Sequence, residues 1–456
     1  MQFDVIVIGS GQAGVPLAAR LAEVGRRVLL CERKLLGGTC VNYGCTPTKT
    51  LVASARAAHV ARNAARLGVH TGEVRVDFAA VMERKNHIVD QWRSGVEKRL
   101  KRAGEKLRLV EGHARFVGER QIEVNGDRYG ADVVIINTGG RPVVPKVSGL
   151  DGVTFLNNKS ILELDRLPRH LIILGGGYIA CEFGQMFRRF GSDVSIIQRG
   201  KHLFDREDTD LVEPLEEVFR NEGLDLHLGT EAESIAKSGD DVSVRLRDGA
   251  HLRGSHLMVA TGRRANTDDL GCDAAGVELD ERGAVHVDAH YRTSAAGVYA
   301  VGDVIGGPQF THTAWDDHRI LYDILVHESK RGRDDRLIPY TVFVDPQLAR
   351  VGMSQREADA ANVDYEMATM PFGNVARAVE VDETAGTMKV LLDPKNERIL
   401  GAAIVGKEAG ELIHIFVALM QAKATARALV DAQAVHPTYA EGVQSLVMRL
   451  ERYKLK

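Results

Sequence analysis

The residues best suited to chemistry are two cysteines, Cys40 and Cys45, in the segment LLGGTCVNYGCTPTK. Pro47 follows at the opening of a helical pattern, and the N-terminus of a helix stabilises a thiolate. Three glycines in the same segment allow the backbone to approach a flat ring closely. The four residues between the cysteines also let the pair close a small disulfide loop. The segment therefore predicts a redox-active dithiol.

Metal ligation is the alternative function of a cysteine pair. A zinc or iron–sulfur site needs further cysteines at short spacing. The other three, Cys31, Cys181 and Cys272, stand alone in strand or helix patterns, so we expect no metal site. Five cysteines in 456 residues also do not form a disulfide scaffold, which indicates a reducing cytoplasm.

A glycine turn near the start of the chain predicts a dinucleotide site. The segment FDVIVIGSGQAGVPLAARLAEVGRRVLLCER has the pattern of a strand, a glycine turn, a helix and a second strand. Gly9, Gly11 and Gly14 fit G-x-G-x-x-G, and Glu32 stands 18 residues beyond the last glycine. Such glycines let the backbone approach a pyrophosphate at a helix N-terminus, and the carboxylate accepts hydrogen bonds from a ribose. An adenine dinucleotide is the expected ligand.

The same construction returns in HLIILGGGYIACEFGQMFRRFGSDVSIIQRG, with Gly175, Gly177 and Ala180 at the three positions. Gln198 stands where an acid is expected at the end of the second strand, and Arg199 follows it. A carboxylate there would repel a 2′-phosphate, whereas an amide beside a guanidinium can bind one. The pattern favours NADPH over NADH, and a solvated basic surface turn is the alternative reading of Arg199.

Length and composition indicate the number of domains and the partners to expect. A chain of 456 residues with 44% hydrophobic content is expected to form several domains. Its net charge of −3 gives no electrostatic drive toward nucleic acid or an anionic membrane. The longest apolar runs are far shorter than the roughly 20 residues that span a bilayer, and no signal peptide or anchor is expected.

The patterns predict an α/β protein with two Rossmann-like nucleotide-binding domains and a third, α+β domain at the C-terminal end. Between the two glycine turns we expect a helix over about 46–66, a charged helix over about 78–103 and short strands leading to INTGG. The predicted domain boundaries are 1–148, 149–268, 269–336 and 337–456.

The cysteine segment GGTCVNYGCTPTK resembles the active site of the class I pyridine nucleotide–disulfide oxidoreductases, which include glutathione reductase, dihydrolipoamide dehydrogenase and mercuric reductase. The likeness runs over nearly the whole chain, through GSGQAG, GGGYIACE, ATGRRANT, VYAVGDV and HPTYAE in order. It implies FAD on the first glycine turn and a reduced nicotinamide nucleotide on the second. The resemblance thus implies FAD-binding over 1–148, NAD(P)-binding over 149–268, the second part of the FAD-binding and central domain over 269–336, and an α+β C-terminal dimerisation domain over 337–456.

The resemblance also implies roles for individual residues near the cysteines. Cys45 is expected to be the thiol against the flavin, and Cys40 the interchange thiol that attacks the substrate. Lys49 and Glu182 match an ion pair beside flavin N5. Tyr178 is similar to a movable lid over the nicotinamide pocket.

Other cofactor contacts follow from the same likeness. Asp303 resembles the acid that holds the ribityl chain of the flavin, and the helix starting near Thr311 is expected to point its N-terminus at flavin O2. His312 has two readings, one close to the ring and one purely structural. The remaining implied cofactor contacts are Gly38, Thr39, Thr138, Gly139 and Gly262.

Near the C-terminus, His436 and Glu441 stand five residues apart. A histidine oriented by a carboxylate can shuttle protons during thiol exchange, although on these residues alone a structural histidine is the alternative. In the family the matching pair reaches into the active site of the partner subunit. The resemblance therefore implies a homodimer built on the C-terminal domain.

The electron acceptor is the least determined part of the prediction. The segments CTPTKTLVASA and ILGAAIVGKEAGELIH are most similar to mercuric reductase-like proteins, but Cys272 is the last cysteine and the terminal cysteine pair of mercuric reductases is missing. Dihydrolipoamide dehydrogenases normally have an acid at the position of Gln198, so this residue argues against that activity. We expect an NADPH-driven reductase of a small or protein disulfide. The alternatives are a reductase of Hg(II) or Cu(II) and a redox-sensing flavoprotein.

Overall fold

The computed structural model describes residues 1–454. The strands are β1 (Gln2–Ile8), β2 (Val28–Glu32), β3 (Leu107–Glu111), β4 (Arg115–Gly118), β5 (Gln121–Val124), β6 (Asp127–Ile136), β7 (Gly140–Pro142), β8 (His170–Leu174), β9 (Asp193–Gln198), β10 (Asp225–Leu228), β11 (Ala232–Ser238), β12 (Asp241–Leu246), β13 (His251–Gly254), β14 (His256–Val259), β15 (Arg263–Ala265), β16 (Val298–Ala300), β17 (Tyr340–Val342), β18 (Gln347–Gly352), β19 (Glu366–Pro371), β20 (Thr387–Leu392) and β21 (Ile399–Gly406). The α-helices are α1 (Gly14–Glu23), α2 (Gly38–Tyr43), α3 (Cys45–Asn63), α4 (Phe78–Arg102), α5 (Tyr178–Phe190), α6 (Thr209–Asn221), α7 (Cys272–Ala275), α8 (Thr311–His327), α9 (Gln355–Ala360), α10 (Ala376–Glu380), α11 (Ala409–Gln421), α12 (Arg427–Val430) and α13 (Tyr439–Val447).

The chain forms two compact units, each assembled from three segments. The first unit comprises Met1–Thr50, Met82–Val143 and Gly262–Arg336. The second comprises Leu51–Val81, Val144–Thr261 and the described part of Leu337–Lys456. The predicted division into nucleotide-binding, central and dimerisation domains stays a prediction.

A seven-stranded sheet forms the centre of the first unit, in the order β3-β2-β1-β6-β5-β4 with β16 also paired to β6. Strand β1 runs parallel to both β2 and β6, and its residues 5–8 are buried. Burial on both faces explains why this strand is a continuous apolar run. Helix α1 covers the sheet with Leu17 and Leu21, both buried. The predicted strand–turn–helix–strand unit is confirmed.

The second unit contains a parallel sheet in the order β10-β9-β8-β14. Helix α5 connects β8 to β9 and buries Ala180 and Phe187. The second predicted βαβ unit is therefore confirmed. A three-stranded antiparallel sheet, β11-β12-β13, follows it in the chain.

The C-terminal part of the second unit is built on a five-stranded antiparallel sheet in the order β17-β18-β21-β20-β19. Its core includes Phe372, Phe416 and Leu446, which come from a 3-10 turn, α11 and α13. This agrees with the mixed strand and helix pattern predicted from residue 337. Helices α3 and α4 confirm the two predicted between the glycine turns to within three residues at each end.

No helix within residues 1–454 has the length and apolar character needed to cross a membrane.

The first glycine turn leads to a stability prediction. A Cβ at Gly14 would lie 2.0 Å from the carbonyl oxygen of Gly9 and 2.6 Å from Asn137 Nδ2, so the backbone must move to admit alanine. Gly14→Ala is expected to lower the free energy of unfolding by about 1–3 kcal/mol, the usual cost of overpacking. Urea unfolding followed by circular dichroism measures it. Gly72→Ala is the control, because a Cβ there meets nothing within 4 Å. Equal stability of the two variants would contradict the prediction.

Candidate active site

The two predicted redox cysteines lie at the ends of neighbouring helices in the first unit. Cys40 is in α2, and Cys45 is the first residue of α3. Cys45 Sγ lies 2.9 Å from the hydroxyl oxygen of Thr311, which is the first residue of α8. Two helix N-termini thus meet at one sulfur atom. Their partial positive charges favour a thiolate there.

The surroundings of Cys40 disfavour the thiolate form of its side chain. A hydrogen bond to Cys45, together with burial, raises the pKa of the Cys40 thiol, and a contact with Thr311 opposes this only in part. Attack by Cys40 on a substrate therefore requires a base.

Asn42 fixes the helix that carries Cys40. Its side chain is buried, and its Nδ2 donates to the carbonyl oxygens of Leu36 and Gly38, both at 2.9 Å. Its Oδ1 accepts two hydrogen bonds from the Arg93 guanidinium, at 3.0 Å and 2.9 Å. The amide thus uses its full donor and acceptor capacity. Sequence reasoning missed this contact, because 51 residues separate its two partners.

The first glycine turn has the geometry expected for a dinucleotide. Gly9 has a φ of +105°. The backbone N–H and the hydroxyl of Ser10 both donate to Glu32 Oε2, at 3.0 Å and 2.6 Å. The cysteine segment runs directly against the turn, since a Cβ at Gly38 would lie 2.8 Å from Gly11 Cα. The backbone of the glycine turn and the backbone of the redox segment therefore pack directly against each other.

Further residues of the first unit fit the flavin end of FAD. Asp303 is held by Arg263, whose Nη2 lies 3.2 Å from Asp303 Oδ2 and donates to the Gly140 carbonyl at 3.0 Å. Burial raises the pKa of Asp303, and the guanidinium of Arg263 opposes that shift. Sequence reasoning missed Arg263 as a partner of Asp303, although it follows the ATG segment directly.

Space is also available where FAD is expected. A Cβ at Gly139 or Gly262 would meet no atom within 4 Å, so both predicted contacts border open space. The Thr138 hydroxyl already has a partner within the protein, because it donates to the Asn266 carbonyl at 2.8 Å. No side chain caps the start of α8 at Phe310. The residues present fit FAD.

The second glycine turn repeats the contact of the first without its charge. The Gly176 N–H donates to Gln198 Oε1 at 3.1 Å, as Ser10 does to Glu32. Gln198 is buried, and Arg199 beside it is exposed. The amide keeps the acceptor that the turn needs and removes the negative charge.

Residues predicted around the nicotinamide lie on α5. Tyr178 is its first residue and is exposed, and Gly177 before it borders open space. Glu182 is buried, and its Oε1 accepts the Phe343 N–H at 2.9 Å. Lys49 is half-buried in α3. The predicted pairing of Lys49 with Glu182 stays a prediction.

The predicted contact between His436 and Glu441 is present. His436 Nδ1 lies 2.9 Å from Glu441 Oε2, and the imidazole is 71% exposed. Glu441 Oε1 also accepts the Thr438 N–H at 3.3 Å, while the Thr438 hydroxyl accepts the Glu441 N–H at 3.2 Å. This capping box at the start of α13 holds the carboxylate still. With Nδ1 facing Glu441, Nε2 is directed to solvent as a proton acceptor.

A cleft of about 570 Å³ in the first unit borders the redox segment and the glycine turn. Val41, adjacent to Cys40, is part of its wall, as is Gln12 of the turn. Sequence reasoning missed the cleft, because its other walls come from distant helices. Those walls include Trp92, Arg99 and Arg102 of α4 and Trp315 of α8.

Two dinucleotide-type turns and a cysteine pair between helix N-termini define a nucleotide-dependent dithiol oxidoreductase. Residues 3–317 match the model of the pyridine nucleotide-disulphide oxidoreductases, and residues 338–447 match the dimerisation domain of that family. The chain belongs to the pyridine nucleotide-disulphide oxidoreductase family. It is therefore an enzyme that depends on FAD and a pyridine nucleotide, and the resemblance and fold class predicted from its motifs are confirmed.

Similar proteins span almost the whole chain. The probable pyridine nucleotide-disulfide oxidoreductase RclA of Escherichia coli is 35% identical over 98% of both chains. A mercuric reductase of Staphylococcus aureus is 32% identical over 99% of this chain and 83% of its own. The solved Cu(II) complex of the HOCl-induced flavoprotein disulfide reductase RclA has a TM-score of 0.90 at 34% identity, covering 98% of this chain and 99% of that one.

The contact between Asn42 and Arg93 leads to a prediction. Arg93→Leu removes two charged donors from a buried amide, which is expected to cost about 1.5–3 kcal/mol of unfolding free energy. Turnover through the cysteine pair should fall, because α2 loses its support, while reduction of the bound flavin by a reduced pyridine nucleotide persists. Urea unfolding and stopped-flow absorbance measure the two effects. Lys98→Leu, an exposed change in the same helix, is the control. Identical behaviour of both variants would refute the role of Arg93.

Proposed function

We propose that the protein is a cytoplasmic, homodimeric reductase that uses NADPH to convert a small-molecule or protein disulfide into two thiols through Cys40 and Cys45. The observation that carries the proposal is the placement of this pair. Cys45 stands at two helix N-termini, and the segment of Cys40 borders a cleft large enough for a small substrate.

When bound, FAD accepts a hydride from the nicotinamide and delivers two electrons to the cysteine disulfide. In the proposed site, the first glycine turn and Glu32 hold its adenosine half. Asp303 and the N-terminus of α8 hold its flavin half, with Lys49 and Glu182 beside the ring. The other proposed contacts are Gly9, Gly11, Gly14, Gly38, Thr39, Thr138, Gly139, Thr311 and Gly262.

Thiol exchange then follows from the chemistry of the pair. Cys40, once deprotonated, attacks one sulfur of the substrate, forming a mixed disulfide and releasing the first thiol. The Cys45 thiolate attacks the sulfur of Cys40, which releases the second thiol and restores the Cys40–Cys45 disulfide. Each cycle consumes one NADPH, one proton and one disulfide, and yields NADP⁺ and two thiols.

The base for Cys40 is proposed to be His436 of the partner subunit. Cys40 needs one because its thiol pKa is raised. The imidazole is exposed, Glu441 orients it, and it lies within the match to the dimerisation domain. It accepts the Cys40 proton and returns a proton to the leaving thiol.

The preference for NADPH rests on the end of β9. Gln198 supplies the acceptor for the glycine turn without a carboxylate that would repel a 2′-phosphate. The exposed guanidinium of Arg199 is then free to form charge-assisted hydrogen bonds with that phosphate. Tyr178 is proposed to cover the nicotinamide pocket, with Gly175 and Gly177 against the pyrophosphate.

Reduction of a soft metal ion is the second candidate function. It is favoured by the similar proteins, which include mercuric reductases and RclA, whose structure has been solved as a Cu(II) complex. A dithiol also binds such ions well. Within residues 1–454, however, no three His, Cys, Asp or Glu side chains come together as a metal site.

Cys40→Ser separates the two halves of the proposed reaction. The variant is expected to lose disulfide turnover and to keep reduction of the bound flavin by NADPH, because the hydride step does not involve Cys40. NADPH oxidation is followed with a set of disulfides and, in parallel, with Hg(II) in excess thiol. Cys272→Ala, a cysteine change outside the pair, should leave every rate unaltered.

Either of two results would change the proposal. Rapid Cys40-dependent turnover with Hg(II) alone would make the protein a metal reductase. A flavin that is reduced once, with no acceptor supporting continued turnover, would make it a redox sensor.

The nucleotide preference is tested at Arg199 and Gln198. Arg199→Ala should raise the KM for NADPH roughly 10- to 100-fold, as expected for loss of a charged hydrogen bond of about 1.5–3 kcal/mol. NADH, which lacks the 2′-phosphate, serves as the internal control and should be unaffected. Gln198→Glu should shift the preference toward NADH. Unchanged NADPH kinetics in both variants would show that another part of the chain reads the phosphate.

A further inference from the structure

We propose that the electron acceptor is an anionic disulfide carrying apolar or planar groups, selected by the cleft beside the redox segment. We call this the tryptophan cleft; its distinguishing side chains are Trp92, Trp315, Arg99 and Arg102. The inference rests on the proposed disulfide reductase function and adds the chemical class of the substrate. These four residues become specificity determinants.

The tryptophan cleft is placed to deliver its occupant to the redox pair. Gly37 and Val41 contribute to its wall from the cysteine segment itself. Val41 is buried, whereas its neighbour Cys40 is half-buried and thus accessible. A disulfide whose substituents fill the cleft would therefore lie against the segment that carries Cys40, the proposed nucleophile.

The charge of the lining favours an anion. Arg99 and Arg102 bring two guanidinium groups from the last turn of α4, and no Asp or Glu lines the cleft. Neither arginine forms a salt bridge with a carboxylate within residues 1–454. Guanidinium groups bind carboxylates and phosphates in a forked geometry. Within residues 1–454, therefore, no carboxylate neutralises the two guanidinium groups of the cleft.

The aromatic side chains account for the apolar part of the substrate. The chain contains only two tryptophans, and both line this cleft. Trp92 is 60% exposed and Trp315 is 39% exposed, which is unusual for the largest apolar side chains. Exposed indoles on a concave wall are suited to stack against planar or apolar ligand groups.

Trp315 packs against the protein on one side. Its ring packs edge-on against the buried His318, with ring centroids 4.6 Å apart. The Arg99 guanidinium lies 5.6 Å from the Trp315 ring centroid, which brings a positive charge and an aromatic face together. One ligand can therefore contact both at once.

The test compares the kcat/KM of each variant for disulfides of different charge. Holoenzyme with NADPH is assayed on five acceptors. Three are anionic: 5,5′-dithiobis(2-nitrobenzoate), 3,3′-dithiodipropionate and coenzyme A disulfide. 4,4′-Dithiodipyridine is neutral and planar, and cystamine is cationic. The ratio of wild-type to variant kcat/KM for each acceptor removes differences in intrinsic disulfide reactivity.

Arg99→Gln and Arg102→Gln are expected to lower kcat/KM for anionic acceptors about tenfold each, the equivalent of about 1.4 kcal/mol. The ratio for cystamine should stay near one. A larger loss with coenzyme A disulfide than with the two dicarboxylates would identify phosphate as the preferred anion, and the reverse would identify carboxylate. Trp92→Leu should reduce turnover of the planar acceptors more than that of 3,3′-dithiodipropionate.

Lys101→Gln is the matched control, since it removes the same charge from the same helix end without altering the cleft lining. The inference is wrong if Lys101→Gln lowers kcat/KM for the anionic acceptors as much as Arg99→Gln does. It is also wrong if Arg99→Gln lowers kcat/KM for cystamine as much as for the anionic acceptors. In both cases the reductase function stands. If the wild-type enzyme turns over none of the five disulfides, the proposed function itself fails.

Discussion

The chemistry of this enzyme depends on where the sulfur of Cys45 is held. It lies 2.9 Å from the hydroxyl of Thr311, at the starts of α3 and α8. The position of α8 is fixed in turn by Asp317, a buried carboxylate that accepts the Tyr291 hydroxyl at 2.8 Å and the Gly302 N–H at 2.7 Å. Gly302 precedes the proposed flavin contact Asp303. A single buried carboxylate therefore sets both the helix end at the thiol and the loop at the flavin, which makes their relative positions rigid.

The two nucleotide sites show how one backbone solution can serve two ligands. In both, the second residue of the glycine turn donates its N–H to a side chain at the end of the second strand. Glu32 and Gln198 are equivalent as acceptors for this bond, but only Glu32 carries a charge. The turn therefore does not constrain the charge at that position. Selection between nucleotides can act on the side chain without disturbing the fold.

What could be predicted from the sequence was local or periodic. Both βαβ units follow from apolar runs and glycine spacing, and the contact of His436 with Glu441 spans only five residues. The contact of Asn42 with Arg93 and the walls of the tryptophan cleft could not be predicted in this way. They join positions far apart in the chain, and no period or motif relates one to the other. The sequence patterns thus point to the proposed reactive atoms, while the packing of α4 and α8 determines what surrounds the cleft.

The charge of the tryptophan cleft also bears on the metal alternative. Two guanidinium groups without a lining carboxylate raise the free energy of a bare divalent cation in the cleft. A soft metal ion would therefore enter as a complex whose thiolate ligands cancel its charge. Cys40 would displace such a ligand much as it displaces a thiol from a disulfide, through attack by its sulfur. Under the proposed function, disulfide and metal substrates would therefore share the entrance and the nucleophile, and the charge carried by the departing thiols would decide which acceptor the cleft prefers.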